Sequence, residues 1–507
     1  MRIKNTLYNS IVSVLSYIVL AALALTLRKF FLIYLPTEYL GYEGLFSDIF
    51  AILGVADLGI NGIIMYKMYP AIAANDENTL AKLMSVYKVL YRIVGCAIAV
   101  IGIILVPFLK LIIRDNTLNW SYVYLVYALQ LVVSLCGYFL AYKRVILVAA
   151  MREAVAVKLE TICSLCSNLV KIAVILLTKN YILYILVGVL NNVVMNALVA
   201  RKAGKEYPYI RKGIKITKAD IKELGIGHDL KNNVVQKLST AIYGGTDSIL
   251  ISAILGITKV GLLTNYSLIS GYVSNLFTKL LNPFQASIGN FVHSKDQSRK
   301  QEMFDMFDRL SFFMASFVAT AFFCLYEPFI EVLFGTEYLL GTMYVLMFSI
   351  NQYIAYNHKF LYFYRASFGK FELDKWYALA AAVLNVVCSI VFAKWMGIAG
   401  IILGTIIGHM GFWIGRVKVV YSEYLTTSVL RYIARQLLNL IIYAVEMLGC
   451  GWLSSKLPVS VPGILLRVLL VLLIPNVMNF LIFFKTRDMK MIFEYLKKTG
   501  RLFKKDE

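Results

Sequence analysis

The sequence predicts an all-α membrane protein with about fourteen transmembrane helices. Of its 507 residues, 60% are hydrophobic and only 16% are charged, and the mean hydropathy is +0.71. A soluble chain carries about 25% charged residues. Apolar runs of roughly twenty residues, enough for a helix to cross the hydrocarbon core, recur along the chain. Because backbone groups in lipid must hydrogen-bond within their own segment, these runs are expected to be helices.

Fourteen segments have the required length. They lie at 11–34, 45–67, 88–110, 120–141, 159–178, 181–200, 237–256, 260–288, 309–328, 339–363, 376–396, 398–420, 433–454 and 462–484. The first follows Arg2 and Lys4 and contains Ala22-Leu23-Ala24, which resembles a signal-peptide cleavage site. Since the apolar run continues to Leu35, we expect a retained first helix instead of a cleaved signal peptide.

Basic residues concentrate in alternate loops. They are dense at the N-terminus, at 143–158, 201–237, 293–302 and 365–375, and in the tail from 485. Two of the opposite loops are acidic and are predicted to contain Glu38, Glu43, Glu327, Glu331 and Glu337. The positive-inside rule then predicts cytoplasmic N- and C-termini, which requires an even number of spans. The net charge of +22 follows from this bias, so nucleic acid is not an expected partner.

The long basic loop divides the chain into related halves. We predict an N-terminal six-helix bundle at 1–200, a basic cytoplasmic linker at 201–236, a C-terminal six-helix bundle at 237–420, and two extra helices with a basic tail at 421–507. At an offset of 217 residues, Leu40 falls on Ile257 and Arg92 on Arg309. Six is an even number, so the repeat is parallel. Such repeats place a substrate site between the halves near the midplane.

Charged residues inside spans are the candidate functional groups, because each costs about 3 kcal/mol at the bilayer centre. Three cations are candidates for a substrate-binding cavity: Arg28, preferred over its neighbour Lys29, Lys171 and Lys279. For Arg28 and Lys279, snorkelling to the interface is the alternative. Adjacent residues on a helix point about 100° apart, so Arg28 and Lys29 cannot both face one cavity.

Two acids form a second candidate set. Asp57 and Asp247 are predicted midway along the second and seventh spans, where they could bind a coupling cation or proton, or form structural ion pairs with Arg28 or Lys279. Gly244-Gly245 would let the seventh span bend beside Asp247. In the twelfth span, glycines every four residues from Gly400 predict a close-packing helix face.

Enzyme signatures are absent from the sequence. It contains neither a P-loop motif nor an H-E-x-x-H motif, and only four histidines. Cys163 and Cys166 form a lone C-x-x-C in an apolar segment, where thiols behave as small hydrophobes. No large extramembrane loop is evident. We therefore expect a protein that is not an enzyme and that has no cofactor and no catalytic metal.

Six short segments resemble sequence patterns of a known protein family. They are LGYEGLF at 40–46, ADLGI at 56–60, YKMYP at 66–70, TDSILIS at 246–252, VGLLTNY at 260–266 and, more loosely, YRASFG at 364–369. With these segments the whole chain resembles the Wzx-type polysaccharide flippases of the multidrug/oligosaccharidyl-lipid/polysaccharide exporter superfamily. The resemblance implies two six-helix bundles in a V around a cationic cavity, and alternating access.

The resemblance also implies a substrate and a setting. The substrate would be a polyprenyl-pyrophosphate-linked oligosaccharide, a capsule, exopolysaccharide or O-antigen repeat unit, with Arg28, Lys171 and Lys279 in the cationic role. The protein would lie in the bacterial cytoplasmic membrane, in contact with membrane lipids and with polysaccharide polymerase and export partners. A peptidoglycan lipid-precursor flippase, a cation-coupled multidrug antiporter and, more remotely, a membrane-embedded polymerase or ligase are the alternatives.

Overall fold

The computed structural model of the chain describes residues 2–57, 59–211, 213–217, 226–292, 296–367, 372–425 and 427–495. Within these ranges the chain forms helices and connecting turns without a β-strand, which confirms the predicted all-α fold. Parts of the predicted basic segments, at 218–225, 293–295 and 368–371 and in the tail from 496, lie outside the described residues. Contacts divide the chain into two compact units, Met1–Lys279 and Leu280–Glu507.

The first unit contains eleven described helices and the first part of a twelfth. They are α1 (Arg2–Tyr34), α2 (Thr37–Leu53), α3 (Ile60–Ala73), α4 (Glu77–Leu105), α5 (Leu109–Ile112), α6 (Trp120–Phe139), α7 (Arg144–Ala149), α8 (Glu153–Thr178), α9 (Tyr181–Glu206), α10 (Ile226–Gly245), α11 (Asp247–Leu255) and α12 (Ile257–Val292). Asp76, Asn119 and Asn180 cap α4, α6 and α9 through side-chain oxygens that accept backbone N–H groups.

Helix α1 packs against α8, and α8 packs against α9, which also contacts α6. Helix α2 lies between α6 on one side and α10 and α11 on the other. Tyr42, Phe46 and Tyr127 are buried at the α2–α6 contact, where Phe46 and Tyr127 meet edge to face with ring centroids 5.0 Å apart. The aromatic core therefore fixes α2 in the interior of the unit.

The second unit contains the remaining described helices. They are α13 (Gln297–Leu333), α14 (Thr342–Asn357), α15 (Lys359–Ser367), α16 (Lys375–Met396), α17 (Ile398–Glu423), α18 (Val429–Ser455) and α19 (Val461–Phe483). Helix α13 contacts α14, α18 and α19, and α17 contacts α14 and α16. Phe304, Phe307, Phe360 and Tyr364 form the centre of a large buried aromatic cluster at one end of this unit.

The predicted spans agree with the helices at most positions. Ten helices in the described ranges are long and apolar enough to cross a membrane, and α10 with α11 forms one more as a pair bent by 42°. The chain is therefore an integral membrane protein. The other predicted spans fall on α2–α3, on α12 and on α14–α15, so the total of fourteen crossings stays a prediction.

The second predicted span, at 45–67, is not a continuous helix. Helix α2 begins at Thr37 and ends at Leu53, a single 3₁₀ turn covers Gly54–Asp57, and α3 begins at Ile60. Gly59 has a left-handed backbone with φ of +79°, which glycine adopts without the strain of a Cβ atom. Glu38 and Glu43, predicted in an outer loop, consequently lie within α2.

The compact units also differ from the predicted bundles. Helices α10 and α11, predicted to open the second bundle, contact α2 in the first unit, and the boundary falls within α12. The predicted division at 201–236 is based on a sequence repeat, and that relation stays a prediction. By its contacts, the whole predicted seventh span, which corresponds to α10 and α11, belongs to the first unit.

The predicted glycine face of α17 packs within the chain, against α16. At Gly404, an added Cβ atom would lie 2.7 Å from the Cα of Ser389 and closer still to its backbone nitrogen. Ser389 donates a hydrogen bond to the carbonyl of Ile401 across the same contact, at 3.0 Å. The two backbones therefore approach so closely that a glycine is required at this position.

Gly404→Ala should destabilise the protein by about 1–3 kcal/mol, because the new methyl group must push the α16 backbone away. Thermal unfolding of the purified protein in detergent should show a lower Tm. Gly449→Ala is the matched control, since Gly449 lies on a spanning helix with open space at the Cβ position. Equal Tm values for the two variants would contradict the close-packing interpretation.

Candidate functional site

Arg28 is half-buried on α1, and its Nη1 donates to Oδ1 of Asn265 on α12 at 3.4 Å. Its neighbour Lys29 is exposed. The structure therefore places Arg28, and not Lys29, against the protein interior, as the sequence analysis preferred. Asn265 is fully buried, so it holds the guanidinium at a fixed position.

Lys171 lies on α8, close to the same region. Its Nζ is 4.4 Å from the centre of the Tyr184 ring on α9, a cation–π contact that gains strength where water is excluded. The Lys171 ammonium is attracted by Glu43 on α2 and repelled by Arg28. Tyr184 also interacts electrostatically with Glu43 and Arg28. These five residues, Arg28, Glu43, Lys171, Tyr184 and Asn265, form what we call the Arg28–Lys171 cluster.

A close helix crossing brings the cluster together. Gly41 of α2 contacts the backbone carbonyl of Ile257 at the start of α12, and an added Cβ at Gly44 would lie 2.7 Å from Oγ1 of Thr264. Glu43 stands between the two glycines in α2, and Asn265 follows Thr264 in α12. The crossing therefore places Glu43 and Asn265 close to Arg28 in the first unit.

The Arg28–Lys171 cluster has an excess of positive charge. It contains two cations and one acid, so its formal net charge is +1. An excess of positive charge is costly to bury, and an anion that enters this region would reduce the cost. The arrangement is therefore suited to bind an anionic group.

Lys279 lies apart from this cluster. Its Nζ is 4.3 Å from the centre of the Tyr17 ring on α1, and Tyr17 precedes Arg28 by eleven residues, about 16 Å along the helix. The charged groups that act on Lys279 are Glu153, Arg144 and Glu160.

Arg144 already pairs with both acids near Lys279. Its Nε lies 2.6 Å from Glu160, and its Nη2 lies 3.2 Å from Glu153. Two cations and two acids give this second group, which includes Lys279, no formal net charge. The three predicted cations are thus divided between two regions, and Lys279 is in the region whose charge is compensated.

Asp57 lies at the break between α2 and α3, near the middle of the predicted second span. The hydroxyl of Tyr91 on α4 donates to Oδ2 of Asp57 at 3.2 Å, and Lys237 on α10 attracts the carboxylate. The Nζ of Lys237 lies beside Gly59, where an added Cβ atom would collide with it. Asp57 therefore connects a broken span to α4 and α10.

Asp247 also lies at a helix break. It is the first residue of α11, directly after the 42° bend from α10, which confirms that the span bends beside Gly244-Gly245. Gly245 is buried against Ile52 and the backbone of Asp48 on α2. Asp48 in turn hydrogen-bonds to Ser248. Both breaks therefore lie beside the C-terminal half of α2, and discontinuous helices of this kind provide ion and substrate sites in transporters.

Sequence reasoning missed three residues of the Arg28–Lys171 cluster. Glu43 falls in a predicted outer loop because the predicted second span begins at residue 45, whereas α2 begins at Thr37. Tyr184 was one of 34 tyrosines without a distinguishing spacing. Asn265 stood in the VGLLTNY segment, and a buried amide within an apolar run was the one signal that could have identified it. The roles predicted for the site residues stay predictions.

The fold is shared with known transporters. It is similar to the lipid II flippase MurJ in an inward closed conformation, with a TM-score of 0.65 and 14% sequence identity, covering 94% of this chain and 99% of that chain. It is also similar to an inward-facing multidrug resistance MATE family transporter of the MOP superfamily, with a TM-score of 0.55 and 14% identity, covering 81% and 98%. No protein-family model and no curated protein sequence matches the chain. At this identity the comparisons establish the fold, and they confirm the predicted fold class.

Neutralising Glu43 tests whether its negative charge offsets the two cations of the Arg28–Lys171 cluster. Glu43→Gln leaves Arg28 and Lys171 without a nearby acid, so we expect a lower Tm in detergent. Lys171→Met added to Glu43→Gln should recover part of that loss, with a coupling energy above about 1 kcal/mol in the double-mutant cycle. Lys29→Met is the control and should change Tm little. Strictly additive shifts would show that Glu43 and Lys171 do not interact.

Proposed function

We propose that the chain is a flippase that moves a polyprenyl-pyrophosphate-linked oligosaccharide across the membrane by alternating access. The observation that carries the proposal is the excess positive charge of the Arg28–Lys171 cluster. A pyrophosphate accepts charge-assisted hydrogen bonds from guanidinium and ammonium groups, and these are strong where water is excluded. The lipid tail would remain in the bilayer while the head group crosses.

The two charged regions of the first unit fit a path for such a head group. If the N-terminus is cytoplasmic, Lys279 and Tyr17 lie nearer the cytoplasmic side, and Arg28 and Lys171 nearer the outer side. The compensated charge around Lys279 would release an anion readily, whereas the Arg28–Lys171 cluster would bind it more tightly. The membrane potential, inside negative, adds about 2.3 kcal/mol per charge per 100 mV in the outward direction.

The charge of the Arg28–Lys171 cluster favours an anionic lipid substrate over a cationic drug, whereas the fold is similar to transporters of both kinds. The similarity to MurJ covers 94% of this chain with a TM-score of 0.65, whereas the similarity to the MATE transporter covers 81% with 0.55. A cation-coupled drug antiporter would also need an acidic binding region, and the Arg28–Lys171 cluster is cationic. A peptidoglycan precursor such as lipid II is the second candidate, because it presents a comparable anionic lipid head group.

The proposed setting follows from this function. The protein would lie in the bacterial cytoplasmic membrane with both termini in the cytoplasm, surrounded by membrane lipids. Its product would then be available to a polysaccharide polymerase and to export partners on the outer side. Asp57 and Asp247, at the two helix breaks, would bind a coupling cation or stabilise the breaks as ion pairs.

Translocation in liposomes tests the proposal. Wild-type protein should move fluorescently labelled undecaprenyl-pyrophosphate oligosaccharide across the bilayer, as measured by the head group that becomes accessible to a membrane-impermeant quencher. Arg28→Ala and Lys171→Ala should each reduce the rate about tenfold or more, the effect of losing one charge-assisted contact of roughly 1.5–3 kcal/mol. Lys29→Ala should remain near the wild-type rate.

Parallel assays separate the alternatives. Preferential translocation of lipid II over the undecaprenyl-pyrophosphate oligosaccharide would assign the chain to the peptidoglycan precursor. Efflux of cationic dyes without translocation of either lipid would contradict the flippase proposal. Monodisperse elution in detergent is the control that Arg28→Ala and Lys171→Ala still fold.

A further inference from the structure

Helices α13 and α18 of the second unit are joined by a series of polar contacts at one fixed offset. Because the offset stays at 130 residues along the pair, the two helices run in the same direction and in register. The contacts join Arg435 to Asp305 at 2.6 Å, Arg309 to Asn439 at 3.1 Å, and Ser454 to the carbonyl of Cys324 at 3.3 Å. This register predicts that residue 446 lies opposite residue 316.

Glu446 occupies that position in the interior of α18. Its side chain is only 1% exposed, and neither carboxylate oxygen has a hydrogen-bond donor of standard geometry. Ser316 is the polar side chain that interacts with it from α13. A carboxylate without a partner is among the most costly groups to bury in a membrane, so its charge requires compensation.

Three other side chains in this region of the second unit have a buried oxygen without a hydrogen-bond partner. Asn479 of α19 donates from Nδ2 to Oγ of Ser316 at 2.9 Å, and its Oδ1 has no partner. Thr320, one turn after Ser316 on α13, has an unpartnered hydroxyl. The Tyr353 hydroxyl on α14 is also unpartnered and interacts electrostatically with Glu446. Glu446, Ser316, Thr320, Asn479 and Tyr353 form the Glu446 site.

Nearby arginines are engaged elsewhere. Arg309, two turns away in the register, bonds to Asn439, lies 3.7 Å from Asp488 and stacks over Phe483 with its guanidinium carbon 3.7 Å from the ring centre. Arg435 pairs with Asp305 and Asp308. The compensating charge for Glu446 must therefore come from outside this group of side chains.

We propose that the Glu446 site binds a single Na⁺ ion. One carboxylate supplies one negative charge, which a monovalent ion neutralises, whereas a divalent ion would leave a buried excess of positive charge. Carboxylate, amide and hydroxyl oxygens are the ligands that hard cations prefer. In the described residues no group of three or more His, Cys, Asp or Glu side chains could hold a metal, so a multi-acid divalent site is not available there.

A bound ion accounts for more of the geometry than a proton does. A proton would neutralise Glu446 but would supply only one hydrogen bond, enough for a single acceptor such as Oδ1 of Asn479. A metal ion contacts several oxygens at once, and unpartnered buried oxygens are present on α13, α14, α18 and α19. The site lies on helices outside the Arg28–Lys171 cluster, so the inference goes beyond the proposed function.

Direct ion binding tests the inference. Purified wild-type protein in detergent should bind ²²Na⁺ saturably, at about one ion per chain, and NaCl should raise its Tm by about 5 °C relative to choline chloride. Glu446→Gln should abolish both effects, and Asn479→Ala should weaken the apparent affinity about tenfold. Glu337→Gln, which removes an exposed acid, is the matched control and should bind as the wild type does.

Glu446→Asp keeps the charge and provides a second variant in case Glu446→Gln does not fold. Shortening the side chain by one methylene moves the carboxylate from its oxygen partners, so ²²Na⁺ affinity should fall at least about tenfold. No saturable Na⁺ binding by the wild type, or wild-type binding by either Glu446 variant, would overturn the assignment. Because no lipid substrate is used, the result is independent of the translocation assay.

Discussion

The cost of burying charge in an apolar helical protein is the constraint on which the structure depends. Most buried charges are compensated by a partner, as for Arg365 with Asp374, which are both buried, and for Arg435 with Asp305 and Asp308. Two departures from this balance concern the proposed ligand sites. The Arg28–Lys171 cluster has an excess positive charge, and Glu446 has an uncompensated negative charge. These are the places where we propose that a ligand binds.

The packing of the helices allows these uncompensated charges to be held in place. Close backbone contacts, at Gly404 between α16 and α17 and at Gly41 between α2 and α12, hold helices rigidly without large side chains. Breaks at Gly59 and beside Gly245 place Asp57 and Asp247 where backbone groups leave the regular helix. A rigid scaffold with local breaks can therefore hold isolated charges in place, which continuous helices packed only by leucine could not do.

Much of the fold could be predicted from the sequence, because length and hydropathy decide which segments can enter a bilayer. The predicted segments 120–141, 376–396 and 398–420 lie close to α6, α16 and α17. The glycine series of α17 correctly indicated a packing face. The break after Leu53 could not be inferred, since its left-handed glycine is selected by tertiary contacts and not by composition.

The candidate site was less accessible to sequence reasoning. The energetic cost of intramembrane charge singled out Arg28 and Lys171, which the structure brings close together, and their role in binding stays a prediction. This cost does not distinguish Lys279 from Arg28 and Lys171, because the depth of a residue and its partners depend on how α1, α7 and α8 pack. The same cost applies to Glu446, which lies in the middle of an apolar run. Glu446 is not among the candidate charges predicted from the sequence. Glu43 and Asn265 required knowledge of the α2–α12 crossing.

Direct binding of a lipid pyrophosphate tests the central claim that the Arg28–Lys171 cluster recognises an anionic head group. Radiolabelled undecaprenyl pyrophosphate and undecaprenol, which lacks the charge, would be titrated against the protein in nanodiscs. The account predicts that the pyrophosphate binds at least about tenfold more tightly, and that Arg28→Ala combined with Lys171→Ala removes the preference. Equal binding of the two lipids by the wild type, or an unchanged preference in the double variant, would contradict it.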